Sequence, residues 1–265
     1  MGNLVRPPAP ALAPFVSAIG YFEGRLAHRR ERVLPTGGIQ LLVNLDADAL
    51  FGDIGGVPHH THGAALQGPY SRPAVVDPAH QRAIIWVAFR SGGAYPFFPV
   101  PAGATRDQLV PLDALWGRDG ALLRERLLAA GPPPRQLQAV EAALLGRTSQ
   151  PTRDPAVALA AAALHRGASV TEVADRLGWT PNRLARRFGQ QIGLTPKRFA
   201  RVRRFQRLVA AAGAAPEQPD WGRLAAETGY YDQAHMIHDF HAFADLTPTR
   251  YAPRSPADTN HLPLP

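Results

Sequence analysis

Two stretches of this chain repeat one another, and the repeat limits what its second half can fold into more than any other feature. VADRLGWTPNRLARRFGQQIGLTPKRF, from Val173 to Phe199, aligns with LAAETGYYDQAHMIHDFHAFADLTPTRY, from Leu224 to Tyr251. The copies agree at Ala174 and Ala225, Gly178 and Gly229, Trp179 and Tyr230, and Phe188 and Phe240. They agree again at Leu194-Thr195-Pro196 and Leu246-Thr247-Pro248, with one additional residue after Gly229. That many matches in one order indicate a single supersecondary unit used twice.

Each copy holds the parts of two short helices joined by a tight turn. Ser169 and Glu172 have the spacing of a capping box for a helix carrying Val173, Ala174 and Leu177. Ala174 is small where a second helix must cross closely, and Gly178 can take the left-handed conformation that ends the first. Thr180 suits the cap of the second helix and Pro181 its first position. There Leu184, Phe188 and Ile192 share one face, which turns Asn182, Arg183, Arg186 and Gln190 outward. Arginine can donate two bonds to guanine and Asn or Gln can pair with adenine, so this face suits a DNA major groove. In the second copy Met236, Phe240 and Phe243 mark the buried side, leaving Ala234, His235 and His238 outward. Imidazoles are charged only when protonated. The first unit is therefore expected to supply most of the base discrimination.

Charge points the same way. From Arg176 to Arg207 the ionisable residues are Arg176, Arg183, Arg186, Arg187, Lys197, Arg198, Arg201, Arg203, Arg204 and Arg207, without an Asp or Glu among them. The chain as a whole carries +8, and Lys197 is its single lysine. A concentrated positive field of this kind suits a polyanion. Between the copies, Pro196 to Ala212 reads as one helix about 25 Å long, with Phe199, Val202, Phe205 and Val209 inward. Such a spacer can set two recognition helices near major grooves ~34 Å apart, with Arg201 and Arg204 beside phosphates or paired with local carboxylates.

The absence of cysteine excludes disulfide frameworks, thiolate zinc sites and cysteine nucleophiles. No apolar run approaches the ~20 residues that span a bilayer, and prolines break the apolar N-terminus, unlike a signal peptide. The expectation is a cytoplasmic protein without a membrane partner. The first half reads as short strands at Ile19 to Glu23, Ile39 to Leu45, Leu50 to Asp53 and Arg82 to Arg90, an antiparallel barrel or sandwich. Helical patterns follow at Ala121 to Ala130 and Arg135 to Leu145. Their apolar faces, Leu123 with Leu127 and Leu137 with Leu144, suit a dimer contact or packing on the barrel. Residues 146–155 form the best linker, and the proline-rich end is expected to be disordered.

The residues from about Pro155 to Tyr251 resemble the tandem helix-turn-helix domain of the AraC/XylS family of bacterial transcription regulators. GYYDQAHMIHDFHAFADLTPTRY is close to that family's most recurrent motif. The resemblance implies base-reading residues near Asn182, Ala185 and Arg186, and near Gln233, Ala234, Ile237 and His238. His238 stands where members commonly have arginine, and Ala185 offers a base only a methyl contact. RVLPTGGIQLLVNL, from Arg32 to Leu45, and AFRSGGAYPFFPVPA, from Ala88 to Ala102, resemble the cupin-like sensor domain of some of these regulators.

The expected whole is an α+β two-domain protein. It comprises a β-rich cupin-like domain (1–110), a helical connector (111–150), a DNA-binding domain (155–252) and a disordered tail (253–265). The expected DNA-binding set is Thr180, Asn182, Arg183, Arg186, Arg187, Gln190, Arg201, Arg204, Gln233, His235 and His238. Double-stranded DNA, an unidentified small-molecule effector, RNA polymerase and a second copy of the chain are the expected partners. No cofactor, metal or enzymatic activity is expected. His59, His60 and His62 lack a nearby carboxylate and read as a loop between Gly-Pro turns, not as metal ligands. A cupin-type metalloenzyme fused to a DNA-binding module is the alternative.

Overall fold

Apolar residues alternate along Val16–Glu23, Gln40–Asn44 and Ala83–Phe89, and these segments form the centre of a sheet buried on one face. The computed structural model describes residues 2–98, 100–147, 153–215 and 218–264. Its strands up to the connector are β1 (Gly2–Arg6), β2 (Val16–Glu23), β3 (Arg30–Val33), β4 (Gln40–Asn44), β5 (Leu50–Ile54), β6 (Val57–Thr61), β7 (Ala64–Gln67), β8 (Ala74–Val76), β9 (Ala83–Phe89) and β10 (Leu109–Pro111). The last strand, β11, is His261–Leu264. They make two open antiparallel sheets, ordered β1-β2-β9-β4-β7-β10 and β11-β3-β8-β5-β6. The architecture is a sandwich, and the barrel alternative falls because neither sheet closes on itself.

The connector helices are α1 (Leu112–Trp116), α2 (Arg118–Ala129) and α3 (Pro133–Leu145). Leu123, Leu127, Leu137, Val140 and Leu144 join one apolar core with Ile19, Leu41, Val43, Ile85 and Val87 of the first sheet. The faces considered for a dimer contact are therefore occupied within the chain. Any self-association must use other surface.

The C-terminal helices are α4 (Pro155–His165), α5 (Val170–Leu177), α6 (Pro181–Gln191), α7 (Pro196–Gly213), α8 (Trp221–Thr228) and α9 (Gln233–Ala244). They enclose two cores, one for each repeat. The first gathers Val157, Leu164, Val173, Leu184, Phe188 and Phe199, and the second Phe205, Val209, Leu224, Met236, Phe240 and Phe243. Phe205 meets Phe240 edge to face with ring centres 5.2 Å apart, a preferred aromatic geometry. Of the expected linker, residues 148–152 lie outside the described residues.

Two expectations are corrected here. The end of the chain expected to be disordered contains β11, which pairs antiparallel with β3 from His261 opposite Val33 to Leu264 opposite Arg30. Leu262 enters the second helical core, and buried Glu31 bonds His261 and Arg254. Burial alone would push the Glu31 carboxyl up, but the His261 hydrogen bond and the charges of Arg254 and His28 outweigh it and hold the group below its ordinary value. The histidine loop also proves to be a strand. His59 and His60 lie on β6, an edge strand, and His60 stacks on Phe51 at 4.5 Å. No group of three His, Asp or Glu suited to a metal occurs among the described residues.

The two halves interlock along α7. Arg198 Nη2 donates to Ser71 O at 2.6 Å, Arg203 Nη1 to Thr36 O at 3.3 Å and Gln206 Nε2 to Pro35 O at 3.0 Å. Leu34, from the same loop, is buried in the second helical core.

Candidate nucleic-acid interface

The first unit forms as its local chemistry dictates. Ser169 Oγ accepts from Glu172 N and the Glu172 carboxylate accepts from Ser169 N, completing the capping box at the start of α5. Gly178 ends that helix at φ 62°, a conformation that a side chain would strain. Thr180 Oγ1 accepts from Arg183 N at 3.2 Å, so the threonine caps α6 and fixes where that helix begins. Leu184 and Phe188 are buried, while Asn182, Arg183, Ala185, Arg186 and Gln190 are exposed. The Arg183 guanidinium lies 4.8 Å from the centre of the Trp179 ring, which limits the directions the arginine can take.

The second unit repeats this plan with different capping residues. Asp220 caps α8, Gly229 ends it at φ 86°, and Asp232 caps α9 by accepting from His235 N at 2.7 Å. Gln233, Ala234 and His238 are exposed and Ile237 is half-buried. His235 departs from the expected outward position. Its Nε2 lies 2.9 Å from Arg204 Nη2, and since arginine can only donate, that nitrogen serves as the acceptor.

The positive field is smaller than the sequence suggests, because carboxylates from outside the run engage several of its arginines. Asp239 on α9 is fully buried and accepts from Arg201 Nε and Nη2 at 3.1 and 2.6 Å and from Arg204 Nη2 at 2.9 Å. Arg204 also lies 4.4 Å from the centre of the Tyr230 ring. Both arginines fasten α9 to α7 rather than standing open to solvent. Arg187 donates to Asp154 at 2.6 Å, tying α6 to the cap of α4. Burial would raise the Asp154 carboxyl, but two backbone N–H bonds and Arg187 hold it below its ordinary value. Arg207 donates to the backbone oxygens of His165 and Thr228. Arg176, Arg183, Arg186 and Lys197 remain exposed without a carboxylate partner among the described residues.

Asp239 was the residue missed in the sequence, although the signal was present. It stands on the buried side of α9 with Met236, Phe240 and Phe243, where an acid requires a cation. Between the units a groove of about 470 Å³ is lined by Lys197, Arg201, Arg204, Arg207, His235 and His238. Lys197, Arg201, Arg204 and Arg207, all on α7, form its basic floor.

Residues 173–254 match a family model described as a helix-turn-helix domain. The C-terminal domain is an AraC-type helix-turn-helix domain. Residues 5–111 match a model described as a domain of unknown function, DUF6597. No curated protein matches the chain. Among solved structures, ToxT from Vibrio cholerae O395 is 10% identical, with 88% of this chain and 95% of that chain covered at a TM-score of 0.45. ToxT from the same source bound to (E)-4-(8-methylnaphthalen-1-yl)but-3-enoic acid is 11% identical, with 88% and 97% covered and a TM-score of 0.47. The xylose-binding transcription activator xylR is 18% identical over 44% of this chain and 38% of that one, with a TM-score of 0.31. Likeness at these values adds nothing to the assignment, which rests on the helix-turn-helix match and the capped, repeated units of this AraC-type domain.

Proposed function

We propose that the protein is a sequence-specific DNA-binding transcription regulator whose two helix-turn-helix units read neighbouring major grooves and whose N-terminal domain holds a small-molecule effector. The observation that carries this reading is the exposed face of α6. Asn182, Arg183 and Arg186 project from a firmly capped helix, with no carboxylate paired to either arginine among the described residues. These side chains match base edges, whereas Thr180 acts through its cap and Arg187, Arg201, Arg204 and His235 act by holding the units in place. Gln190 lies farther along the same exposed face, and Gln233, with the N-terminal amides of α9, suits a backbone phosphate.

Control by an effector is supported by where α7 lies. This helix spaces the two units and also bonds Thr36, Pro35 and Ser71 of the N-terminal half, so a ligand that moves those loops changes the placement of the recognition helices. A second copy and RNA polymerase complete the proposed partners, in a cytoplasmic setting. No observation favours the metalloenzyme.

The test compares the units. Arg186→Ala is expected to weaken specific DNA binding by about 1–3 kcal/mol and to relax the preference at one or two base pairs. His238→Ala, measured in the same titration, should lose less. Equal losses in gel-shift titrations would remove the asymmetry, and no loss for Arg186→Ala would remove α6 as the reading element.

A further inference from the structure

A second cavity, of about 540 Å³, lies where the second sheet meets the C-terminal domain, apart from the groove between the helix-turn-helix units. Arg30 and Arg32 of β3, Arg72 before β8, Arg198 of α7, and His241 and Asp245 at the end of α9 contribute to its lining. Four arginines thus line one space from both halves of the chain. Among the lining residues Asp53 and Asp245 oppose them, which leaves the lining with an excess of two positive charges.

The acids are already engaged. Asp245 Oδ2 accepts from Arg32 Nη2 at 3.0 Å, and Asp53 Oδ1 accepts from Gly56 N at 2.7 Å. Arg30 and Arg72 have no ion-pair partner among the described residues, and Arg32 Nε is buried without a hydrogen-bond acceptor. The hairpin between β5 and β6 helps to place Arg72. Gly55 sits at φ +60°, and a Cβ there would fall 2.5 Å from Arg72 Cδ. Burial and the neighbouring Arg201 charge hold the Arg198 guanidinium below its ordinary value, and Arg72 adds to that effect, while Asp107 and Asp239 offset part of it.

We propose that this cavity binds a small effector bearing at least two negative charges on carboxylate or phosphate groups. Planar guanidinium forks match both groups through paired hydrogen bonds. The volume falls within the range of small-molecule sites, and a single monovalent anion would leave one of the two charges unmatched. Such a ligand joins β3 and Arg72 to α7 and α9, so its occupancy fixes how the N-terminal domain sits on the DNA-binding units. That consequence rests on the proposed regulator function, and linkage requires DNA and effector to alter each other's affinity by the same factor.

Calorimetric titration of the full chain with pyrophosphate and with citrate, at ionic strength fixed with KCl, tests the site. One-to-one binding is expected. The double variant R30Q/R72Q should weaken it roughly tenfold or more, the loss of about 1.4 kcal/mol in charge-assisted bonds, without changing DNA affinity in the absence of anion. Tighter pyrophosphate binding identifies a phosphorylated effector, and tighter citrate binding a polycarboxylate. If the double variant unfolds at a lower temperature than the parent, R72Q alone carries the same comparison. Binding of neither anion, by a protein that still binds DNA, overturns the site and leaves the regulator reading standing. Equal binding to parent and variant, abolished by DNA in both, places the anions on the DNA-reading face and also overturns it. A protein that binds the anions through these arginines but binds no DNA upholds the site and refutes the regulator.

Discussion

Replacing Asp239 with alanine should destabilise the protein by about 3–5 kcal/mol, the usual cost of removing one member of a buried ion pair. The carboxylate is fully buried and bonded to both Arg201 and Arg204, whose side chains are largely covered. Its loss leaves Arg201 without its carboxylate acceptor and Arg204 with only His235 Nε2 of the two acceptors it has on α9. Urea unfolding measures the effect, and Asp239→Asn, which keeps an acceptor oxygen, should cost less. If the network serves mainly to orient α9, replacing Asp239, Arg201 and Arg204 together with apolar residues of similar volume should recover most of the stability while DNA binding stays impaired. A loss below about 1 kcal/mol for Asp239→Ala would show that the arginines find other partners.

Leu34→Ala should cost about 2–5 kcal/mol although Leu34 belongs to the N-terminal half, because it is 1% exposed within the second helical core. Its neighbours in that core include Val202, Phe205, Leu208 and Leu262. The substitution opens a void between the domains and should also weaken their mutual support. Trp86 and Trp116 report on the first half, Trp179 and Trp221 on the second, so single-tryptophan variants can follow each half during unfolding. Transitions that coincide in the parent and separate in Leu34→Ala are the expected result. A negligible loss, with coincident transitions throughout, would mean that Leu34 does not couple the halves.

The helix-turn-helix units were legible because their signals are local. Ser169 with Glu172, Gly178, Thr180 and Pro181 act within a few residues of the structure they specify, and each occupies the expected position. Strands β2, β4, β5 and β9 were legible for the same reason, through alternation or runs of apolar residues. The other strands were not. β6 contains Pro58 and consecutive histidines, and β11 contains Pro263; both are edge strands, where a missing backbone donor is tolerated. At the candidate site, periodicity identified which arginines and histidines leave the helix core but not which meet carboxylates. Asp154 reaches Arg187 across 33 residues and Asp239 reaches Arg201 across 38, distances at which only tertiary packing makes the pairs. The interdomain cavity was invisible for the same reason, since its arginines lie on segments with no sequence relation to one another.

The central claim is that both units read DNA. Selecting bound fragments from a random DNA pool with the full chain, and sequencing them, tests it directly. The expected result is one bipartite motif, its two elements about one helical turn apart, with Arg186→Ala relaxing the preference at one or two base pairs of one element and sparing the other. A pool with no enriched motif, or a motif with a single element unchanged by Arg186→Ala, would contradict the account.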